Sequence, residues 1–267
     1  MPVSPVSTAR FPFAAGRPGA QPTAARTRPL GSVGVRESTA AGVVLASGAG
    51  TRVGAALNKV YLPVAGRRVV AWSLDAFAAV PGIGVLVLVI RSEDAPLAEE
   101  VLAGLAAPVE IVTGGPTRQA SELNALRHLA PRIADGTVDS VLLHDGARPL
   151  VKPDLISAVL ERTREDGGAV PGLAADDVVS MAGPDTVAGP LPGAIRVQTP
   201  QGFRAEPLLA AYEQAAAEGF LGTDTASCME RFSALPVRWV PGSAENVKIT
   251  YPHDLAVAER FLLRPSP

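Results

Sequence analysis

The sequence predicts an α/β protein of three layers, with a Rossmann-like, mostly parallel sheet, helices on both of its faces, and a β-arm that projects from the sheet. The first observation is the order of the elements: from Ala41 onward, segments of strand character alternate with segments of helical character. The second is the run from Val85 to Ile90, which is aliphatic throughout, as expected of a strand buried on both faces. The third is a glycine- and proline-punctuated stretch at about 174–198, which predicts a hairpin that leaves the sheet.

Composition excludes several classes of function. The chain has 267 residues, 47% of them hydrophobic, so it can bury a sizeable core in one large domain or two small ones. Its formal net charge of -2 gives no reason to expect nucleic acid or an acidic membrane as the main partner, and no apolar run reaches the length of a membrane span. Cys228 stands alone and the histidines are scattered, so we expect a cytoplasmic protein without a disulfide or a histidine-based metal site.

The first 39 residues differ in composition from the rest of the chain. They are rich in Pro, Ala, Gly, Ser and Thr, and their five arginines face a single acid, Glu37. Such a segment cannot bury enough apolar area to offset the entropy of ordering, which predicts a disordered extension over 1–39 and a folded domain over 40–264. An acid-poor leader with Arg and Ser is also typical of a transit peptide, but this one shows no amphipathic helical pattern.

The first strand, predicted over 43–46, leads into a loop of small residues and cations. The glycines Gly48 and Gly50 let a ligand approach the backbone closely, and successive N–H groups in such a turn can form a concave nest for an anion. Arg52 and Lys59 add positive charge around the same point. The loop therefore predicts a triphosphate site at the carboxyl end of the first strand.

Three other interpretations of this loop differ in what they require of its residues. A solvent-exposed glycine turn with incidental basic residues stays open on composition alone. A dinucleotide fingerprint requires G-x-G-x-x-G and an immediate helix, whereas the third glycine, Gly54, comes one residue late, and Pro63 and Gly66 interrupt any helix. The Walker string G-x-x-x-x-G-K-[ST] does not occur in the chain.

The remaining elements follow in order. Helices are expected over 69–80, 96–105, 118–129, 153–165, 207–217 and 251–263. Strands are expected over 85–90, 109–112, 138–143, 169–173 and 237–240, and extended segments at 174–180 and 194–198 are expected to form the arm.

Two further polar strings come directly after predicted strands. In the first, Gly114 and Gly115 form a turn and Thr117 caps the next helix, whose N-terminus can bind an anion or a polar ligand. A plain capped turn would give the same pattern. In the second, Asp145 ends a central strand, where it could hold Mg²⁺ against a triphosphate, although a simple salt bridge to Arg148 is the alternative.

Five strings, taken together, resemble the motifs of the 2-C-methyl-D-erythritol 4-phosphate cytidylyltransferase family, which has the nucleotide-diphospho-sugar transferase fold. The resemblance covers about 41–263, and the strings occur in the family's order. They are Ala46-Ser47-Gly48-Ala49-Gly50-Thr51-Arg52 with Asn58-Lys59, Gly114 to Ser121, His144-Asp145-Gly146-Ala147-Arg148-Pro149, Thr199-Pro200-Gln201, and Gly222 to Ser227 followed by Lys248.

The resemblance implies a role for each site residue. The cations implied in catalysis are Arg52, Lys59 and Lys248. The nucleotide-binding residues implied are Ala46, Ser47, Gly48, Gly50, Gly114, Gly115, Arg118, Ser121, Asp145, Gly146 and Arg148, with Asp145 also the ligand of a Mg²⁺ cofactor. Those expected to bind the acceptor are Asp177, Thr199, Thr223 and, as a substitute, Arg196. His144 is expected to be structural, and the arm is implied to cross to a second subunit in a homodimer.

Three positions depart from the family pattern. Val178 stands where threonine is usual, and Leu191 stands about eight residues before Thr199, where an arginine that binds the acceptor phosphate is expected. A neutral residue cannot replace the charge-assisted contact of that arginine, and Arg196 is the expected substitute although it lies elsewhere on the strand. Thr225 stands where an acid is usual. The chemistry is therefore predicted more firmly than the acceptor.

The function predicted is transfer of a cytidylyl group from CTP to the phosphate of 2-C-methyl-D-erythritol 4-phosphate, with release of pyrophosphate. Ribitol 5-phosphate or another alditol phosphate is the alternative acceptor. A remote alternative is an NADP-dependent oxidoreductase in which Arg91 binds the 2′-phosphate of NADP. A non-catalytic nucleotide-binding regulator is a further alternative, but it would not need cations on three separate segments.

Overall fold

A computed structural model describes residues 38–48 and 57–264 of the chain. The predicted extension lies outside the described residues up to position 37, as do Gly50 and Arg52 of the first loop. The first strand begins at Thr39, the last residue assigned to that extension.

Strands and helices alternate along most of the described chain. The strands are β1 Thr39–Leu45, β2 Pro63–Val64, β3 Arg67–Arg68, β4 Ile83–Ile90, β5 Glu110–Thr113, β6 Val138–Asp145, β7 Gly168–Ala174, β8 Val179–Met181, β9 Val187–Pro190, β10 Ile195–Val197, β11 Gln201–Arg204 and β12 Val237–Pro241. The α-helices are α1 Val69–Ala78, α2 Ala95–Leu102, α3 Arg118–Ala134, α4 Pro153–Asp166, α5 Ala205–Glu218, α6 Thr225–Phe232 and α7 Pro252–Leu262. Two short 3₁₀ helices span Lys59–Tyr61 and Ser92–Asp94.

Eight strands form one sheet, in the order β10-β7-β11-β6-β1-β4-β5, with β12 paired to β7. The four strands from β6 to β5 in this order are parallel, and β11 runs antiparallel between β6 and β7. The chain leaves β1 towards β4 and β5 and then returns to β6 on the other side of β1. Ligands bind at such a switch point in open α/β sheets.

Both faces of the sheet carry a hydrophobic core, so the three-layer prediction is confirmed. Val43 belongs to a cluster that includes residues of α3, α5 and α6, whereas its neighbour Val44 belongs to a cluster with residues of α1, α2 and α4. Neither side chain is accessible to solvent. Because successive side chains of a strand point to opposite faces, a strand covered on both sides reads as a continuous apolar run.

Most predicted elements lie within a few residues of their expected positions, and three features differ. The third helix continues through Pro131 to Ala134, because Ile133 packs into the core beyond the proline. The helix Thr225–Phe232 was not predicted, since its eight residues were interpreted only as a motif. The strand Gln201–Arg204 was likewise treated as a motif, although it fills the gap between β6 and β7.

The arm is a hairpin, but its strands are not the two that were predicted. Val179–Met181 pairs with Val187–Pro190 in a separate two-stranded sheet. The predicted extended segment at 194–198 instead contributes β10, which pairs antiparallel with β7 in the main sheet. The prediction was wrong on this point because a strand segment alone does not specify its pairing partner, which tertiary context decides.

The helices of the described residues bear on whether the chain could cross a membrane. None of them combines the length and the apolar character that a membrane span requires.

Candidate active site

A cavity of about 620 Å³ lies at the carboxyl ends of β1, β4 and β6, at the switch point of the sheet. Its wall comes from the loops that follow these strands, from the start of α3, and from the segment after β12. The residues that line it are Leu45, Ser47, Gly48, Asn58, Lys59, Val60, Arg91, Glu93, Gly115, Pro116, Thr117, Arg118, Ser121, Asp145, Ala147 and Lys248. The parallel register that places Leu45 beside Asp145 brings the first and third motifs together.

Asp145 is surrounded by three cations. Its Oδ2 lies 2.9 Å from Lys248 Nζ and 3.4 Å from Arg148 Nε, and its Oδ1 accepts a hydrogen bond from Arg118 Nη1 at 3.0 Å. Burial would raise the pKa of Asp145, but the charges of Arg118, Lys248 and Arg148 outweigh it and hold that pKa well below its usual range. The carboxylate is therefore ionised at every pH at which the fold is expected to work.

His144 and Thr199 support Asp145 from below. Thr199 Oγ1 accepts a hydrogen bond from the Asp145 N–H at 3.0 Å and lies 3.1 Å from His144 Nδ1, while His144 Nε2 lies 3.3 Å from the Arg148 carbonyl. A neutral imidazole satisfies all of these contacts, because Nδ1 can accept from the threonine hydroxyl while Nε2–H donates to the carbonyl. Burial lowers the pKa of His144 to about 4, in keeping with this structural role.

Lys248 is held in place by the residues on either side of it. Asn246 is fully buried, and its Nδ2 donates to the Thr199 carbonyl at 2.9 Å. The Ile249 N–H donates to the Ala147 carbonyl at 2.8 Å. Anchors on both sides fix the backbone, so the amine reaches Asp145 although Lys248 lies in no regular element.

Asn58 fixes the turn that carries Lys59. Its Nδ2 donates to the Ala46 carbonyl at 2.7 Å and to Asp94 Oδ2 at 3.0 Å, and its Oδ1 accepts from the Val60 N–H, which caps the short helix that Lys59 begins. Asp94 is buried and is itself paired with Arg91. The motif asparagine thus ties the end of β1, the lysine turn and the end of β4 into one unit.

Gly114 brings the first and second motifs into contact. A Cβ at this position would lie 2.6 Å from Ser47 Cβ and 2.8 Å from Ser121 Oγ, so no other residue fits without a shift. The space is used by a hydrogen bond from Ser47 Oγ to Ser121 Oγ at 2.9 Å. Thr117 caps the following helix, as predicted, by accepting from the Ala120 N–H.

Arg118 lies between two carboxylates. Its Nη1 donates to Asp145 and its Nε donates to Glu122 Oε1 at 2.9 Å. Glu122 also accepts hydrogen bonds from Tyr212 Oη at 2.8 Å and from Thr225 Oγ1 at 3.2 Å. Burial lowers the pKa of Arg118 less than the charges of Asp145 and Glu122 raise it, so its pKa lies above the usual value.

The structure brings together most of the residues expected to bind the nucleotide. The predicted residues that line the cavity are Ser47, Gly48, Lys59, Gly115, Arg118, Ser121, Asp145 and Lys248. The predicted residues directly behind this wall are Ala46, Gly114, Gly146 and Arg148. Gly50 and Arg52 lie outside the described residues. The individual roles of all these residues stay predictions.

The residues expected to bind the acceptor do not line the cavity. Asp177 and Arg196 are exposed and form an ion pair with each other at the base of the arm. Thr199 is buried beneath Asp145, and Thr223 is exposed before α6. The Leu191 N–H donates to the Val178 carbonyl at 2.9 Å, so two of the three departures from the family pattern are direct neighbours.

Sequence reasoning did not assign a role to Asn58, Asp94 or Glu122. Asn58 lay within a quoted motif, and its small, polar side chain directly before Lys59 was the available signal. Asp94 and Glu122 gave no signal, because an acid on a helix normally marks the solvated face. Arg91 does line the cavity, but Asp94 and Glu93 hold its guanidinium.

A cavity at a topological switch point, with cations around one ionised carboxylate, is suited to the phosphates of a nucleotide. Fold and site together define a nucleotidyltransferase.

The family model for 2-C-methyl-D-erythritol 4-phosphate cytidylyltransferase, IspD, matches residues 40–264, and the chain belongs to this family. A relative of that name from Cereibacter sphaeroides is 40% identical over 226 residues, which are 84% of this chain and 97% of the relative. One from Thermosynechococcus vestitus is 39% identical over 225 residues, covering 82% and 94% of the two chains.

Solved structures agree with this assignment. The 4-diphosphocytidyl-2C-methyl-D-erythritol synthase from Anaerococcus prevotii superposes with a TM-score of 0.76 at 27% identity, over 85% of this chain and 99% of that one. The 2-C-methyl-D-erythritol 4-phosphate cytidylyltransferase from Thermus thermophilus gives a TM-score of 0.63 at 30% identity, over 82% and 97%. The oxidoreductase alternative is therefore set aside.

Proposed function

We propose that the protein transfers a cytidylyl group from CTP to the phosphate of 2-C-methyl-D-erythritol 4-phosphate and releases pyrophosphate, a step of isoprenoid precursor synthesis. Membership of the family supports the reaction. The observation that carries it is the arrangement of Lys248, Arg118 and Arg148 around Asp145 at the wall of the cavity, with Lys59 on the same wall.

The reaction requires no general base from the protein. A phosphate monoester carries most of its second negative charge near pH 7, so one of its oxygens can attack directly. That oxygen forms a bond to the α-phosphorus of CTP, and the bond from the α-phosphorus to the oxygen it shares with the β-phosphorus breaks. The electron pair leaves with pyrophosphate. The protein contributes in-line positioning and positive charge, which Lys59, Lys248 and Arg52 would supply.

Mg²⁺ is the proposed cofactor, and Asp145 is its proposed protein ligand. Within residues 38–48 and 57–264, no group of three or more His, Cys, Asp or Glu side chains could hold a metal alone. Mg²⁺ at nucleotide sites needs only one or two carboxylates, because substrate phosphates and water complete its coordination. One ionised carboxylate at the cavity wall fits this donor set, and the bound ion would neutralise charge on the triphosphate.

The identity of the acceptor depends on the base of the arm. Val178 and Leu191 lie side by side there, and Arg196 and Asp177 form their ion pair a few residues away. We propose that Arg196 contacts the acceptor phosphate in place of the arginine missing at position 191. An alditol phosphate such as ribitol 5-phosphate is the second candidate acceptor. Val178 and Leu191 depart from the family pattern in the region that is expected to bind the acceptor, so its specificity could differ.

A homodimer formed through the arm is also proposed. The hairpin and the residue that follows it expose four large apolar side chains, which are Val179, Met181, Val187 and Leu191. Exposed apolar side chains concentrated in one element are a common feature of protein–protein interfaces. A second copy of the chain would cover it and would bring one arm close to the other subunit.

A reducing, cytoplasmic compartment is proposed on the basis of cysteine chemistry. Cys228 is the single cysteine of the chain, and it is buried. Burial raises the pKa of its thiol to about 11, so it stays protonated and unreactive. The fold therefore neither uses a disulfide nor offers a redox-active thiol among its described residues.

The test compares pyrophosphate release with CTP and Mg²⁺ for the two acceptors. We expect turnover with 2-C-methyl-D-erythritol 4-phosphate, and a KM for this acceptor that rises about tenfold or more in Arg196→Ala, the scale of a lost charge-assisted contact. Arg238→Ala is the matched control, since Arg238 is a similarly exposed, ion-paired arginine away from the arm. Turnover with ribitol 5-phosphate alone would identify an alditol phosphate as the acceptor instead. CTP binding without turnover of either acceptor would contradict the proposal.

A further inference from the structure

Glu122 is a buried carboxylate that the proposed reaction does not use. It lies one helical turn after Arg118 on α3, is 1% exposed, and does not line the cavity. A buried charge is costly unless it is paired and hydrogen-bonded, so its presence in the core needs a physical reason.

Burial raises the pKa of Glu122, but each of its side-chain contacts opposes that rise and favours the anion. Arg118 Nε, Tyr212 Oη and Thr225 Oγ1 all donate to it, and these donors come from three different helices. Tyr212 and Thr225 are both inaccessible to solvent. Two neutral hydroxyls and one guanidinium thus surround a single carboxylate, an arrangement that satisfies an ionised group in a dry interior.

The same contacts fix the orientation of Arg118. The guanidinium is held at Nε by Glu122 and at Nη1 by Asp145, while Nη2 has no hydrogen-bond partner among the described residues. With only Asp145 present, the guanidinium could turn to face that carboxylate with two nitrogens, as arginine commonly does. Glu122 opposes this rotation and leaves the third nitrogen without an intramolecular acceptor.

Thr225 is explained by the same geometry. Its hydroxyl lies 3.2 Å from Glu122 Oε1, so an acid at position 225 would set two carboxylates in contact in the core. In this chain the negative charge beside Arg118 comes from α3, and α6 contributes a neutral donor instead.

We propose that Glu122 is a positioning residue that orients Arg118 for the bound nucleotide, with Tyr212 and Thr225 holding it in place. The inference rests on the proposed function, since it assigns Arg118 a contact with CTP. Without the Glu122 charge, the Arg118 guanidinium turns to face Asp145 with two of its nitrogens. This rotation weakens binding of the nucleotide and leaves the acceptor site unchanged.

The first experiment measures KM and kcat of Glu122→Gln for CTP and for the acceptor. Glutamine keeps the shape and can still bond to both Arg118 and Tyr212, so it removes mainly the charge. We expect KM for CTP to rise about tenfold, the scale of one lost charge-assisted hydrogen bond, with KM for the acceptor within about twofold of wild type. Glu213→Gln is the matched control, because Glu213 pairs with Arg127 across the same two helices but far from the cavity.

A second experiment moves the charge to the other helix. Thr225→Glu alone places two carboxylates together and should raise KM for CTP or prevent folding. The double variant Glu122→Gln with Thr225→Glu restores one carboxylate and should lower KM for CTP at least threefold relative to Glu122→Gln, a coupling between neighbouring sites. Tyr212→Phe removes one donor to Glu122 with little change of shape, and should raise KM for CTP two- to threefold even where other variants fail to fold.

The outcomes separate this inference from the proposed function. Absence of turnover in the wild type would contradict the proposed function. Normal wild-type turnover, with KM for CTP unchanged in Glu122→Gln, or in Tyr212→Phe where Glu122→Gln is unfolded, would overturn the positioning role. A fall in melting temperature with unchanged KM would also overturn it, since that is the signature of a purely structural carboxylate.

Discussion

Asp145 shows how a single residue gathers positive charge at the candidate site. Its carboxylate is buried at the end of a central strand, yet it stays ionised because three cations lie within 3.4 Å of its oxygens. Each of these cations is in turn attracted to the carboxylate and held near the cavity wall. An arriving triphosphate would find positive charge already gathered, so little reorganisation is needed on binding.

Lys248 should matter more for turnover than for folding. In Lys248→Met, Asp145 retains Arg118 and Arg148, so the fold should be kept, while the transition state loses one positive charge. We expect kcat to fall about a hundredfold or more, the scale of one lost transition-state contact, as measured by pyrophosphate release. Lys152→Met is the control, because Lys152 is exposed and pairs with Glu245 away from Asp145. An unchanged kcat in Lys248→Met would remove this lysine from the mechanism.

His144 should make stability depend on pH. Its pKa falls from 6.5 to about 4 on folding, mainly through burial. Because the unfolded state binds the proton more tightly, stability is fully present above pH 6.5 and is lost as the pH falls towards 4, by about 3 kcal/mol in all. Urea titrations at pH 4.5 and 7 should show this loss in the wild type and a smaller one in His144→Gln. Equal losses in both would contradict the assignment to His144.

At the scale of elements, close packing of two turns builds the site. The loop after β1 and the loop before α3 touch at Gly114, where the distances leave no room for a Cβ. Gly114→Ala should therefore separate Ser47 from Ser121 and raise KM for CTP by about tenfold, since overpacking typically costs 1–3 kcal/mol.

The control for that variant is Gly104→Ala. A Cβ there would meet the Val101 carbonyl at an ordinary contact distance of 3.6 Å, and no other atom of the described residues within 4 Å. If Gly114→Ala and Gly104→Ala bind CTP equally well, the contact between the two turns is not part of the nucleotide site.

The arm is the element on which the oligomeric state should depend. Val187 is 59% exposed at its edge, and a charge placed there would oppose burial against a second subunit. We expect Val187→Asp to shift sedimentation from dimer to monomer. Leu221→Asp is the control, since Leu221 is equally apolar and 68% exposed but lies away from the hairpin. A wild type that sediments as a monomer would disprove arm-mediated dimerisation.

At the scale of the whole molecule, the sequence predicted the layers, and the structure places most of the motif residues around one cavity at the edge of the sheet. Continuous apolar runs such as 85–90 require cover on both faces, and glycine-rich strings after such runs must meet at one edge of a parallel sheet. The pairing of strands was harder to predict. The segment at 194–198 has strand character, but whether it joins the arm or β7 depends on contacts distant in sequence.

The residues that support the site show a second limit on what can be predicted from sequence. Glu122 and Asp94 are acids on or beside helices, a pattern that normally marks a solvated face. Their burial follows from donors contributed by distant segments, such as Tyr212 and Asn58. No local sequence pattern indicates those partners, whereas the resemblance to the family was enough to single out Lys248.

Phosphorus-31 NMR of the purified protein with CTP, Mg²⁺ and 2-C-methyl-D-erythritol 4-phosphate tests the central claim most directly. We expect each CTP consumed to yield one pyrophosphate and one cytidine diphosphate diester whose second phosphorus comes from the acceptor. Lys248→Met should form the same products far more slowly. CTP that binds but stays intact in the wild type, or that yields only CMP and pyrophosphate with the acceptor untouched, would contradict it.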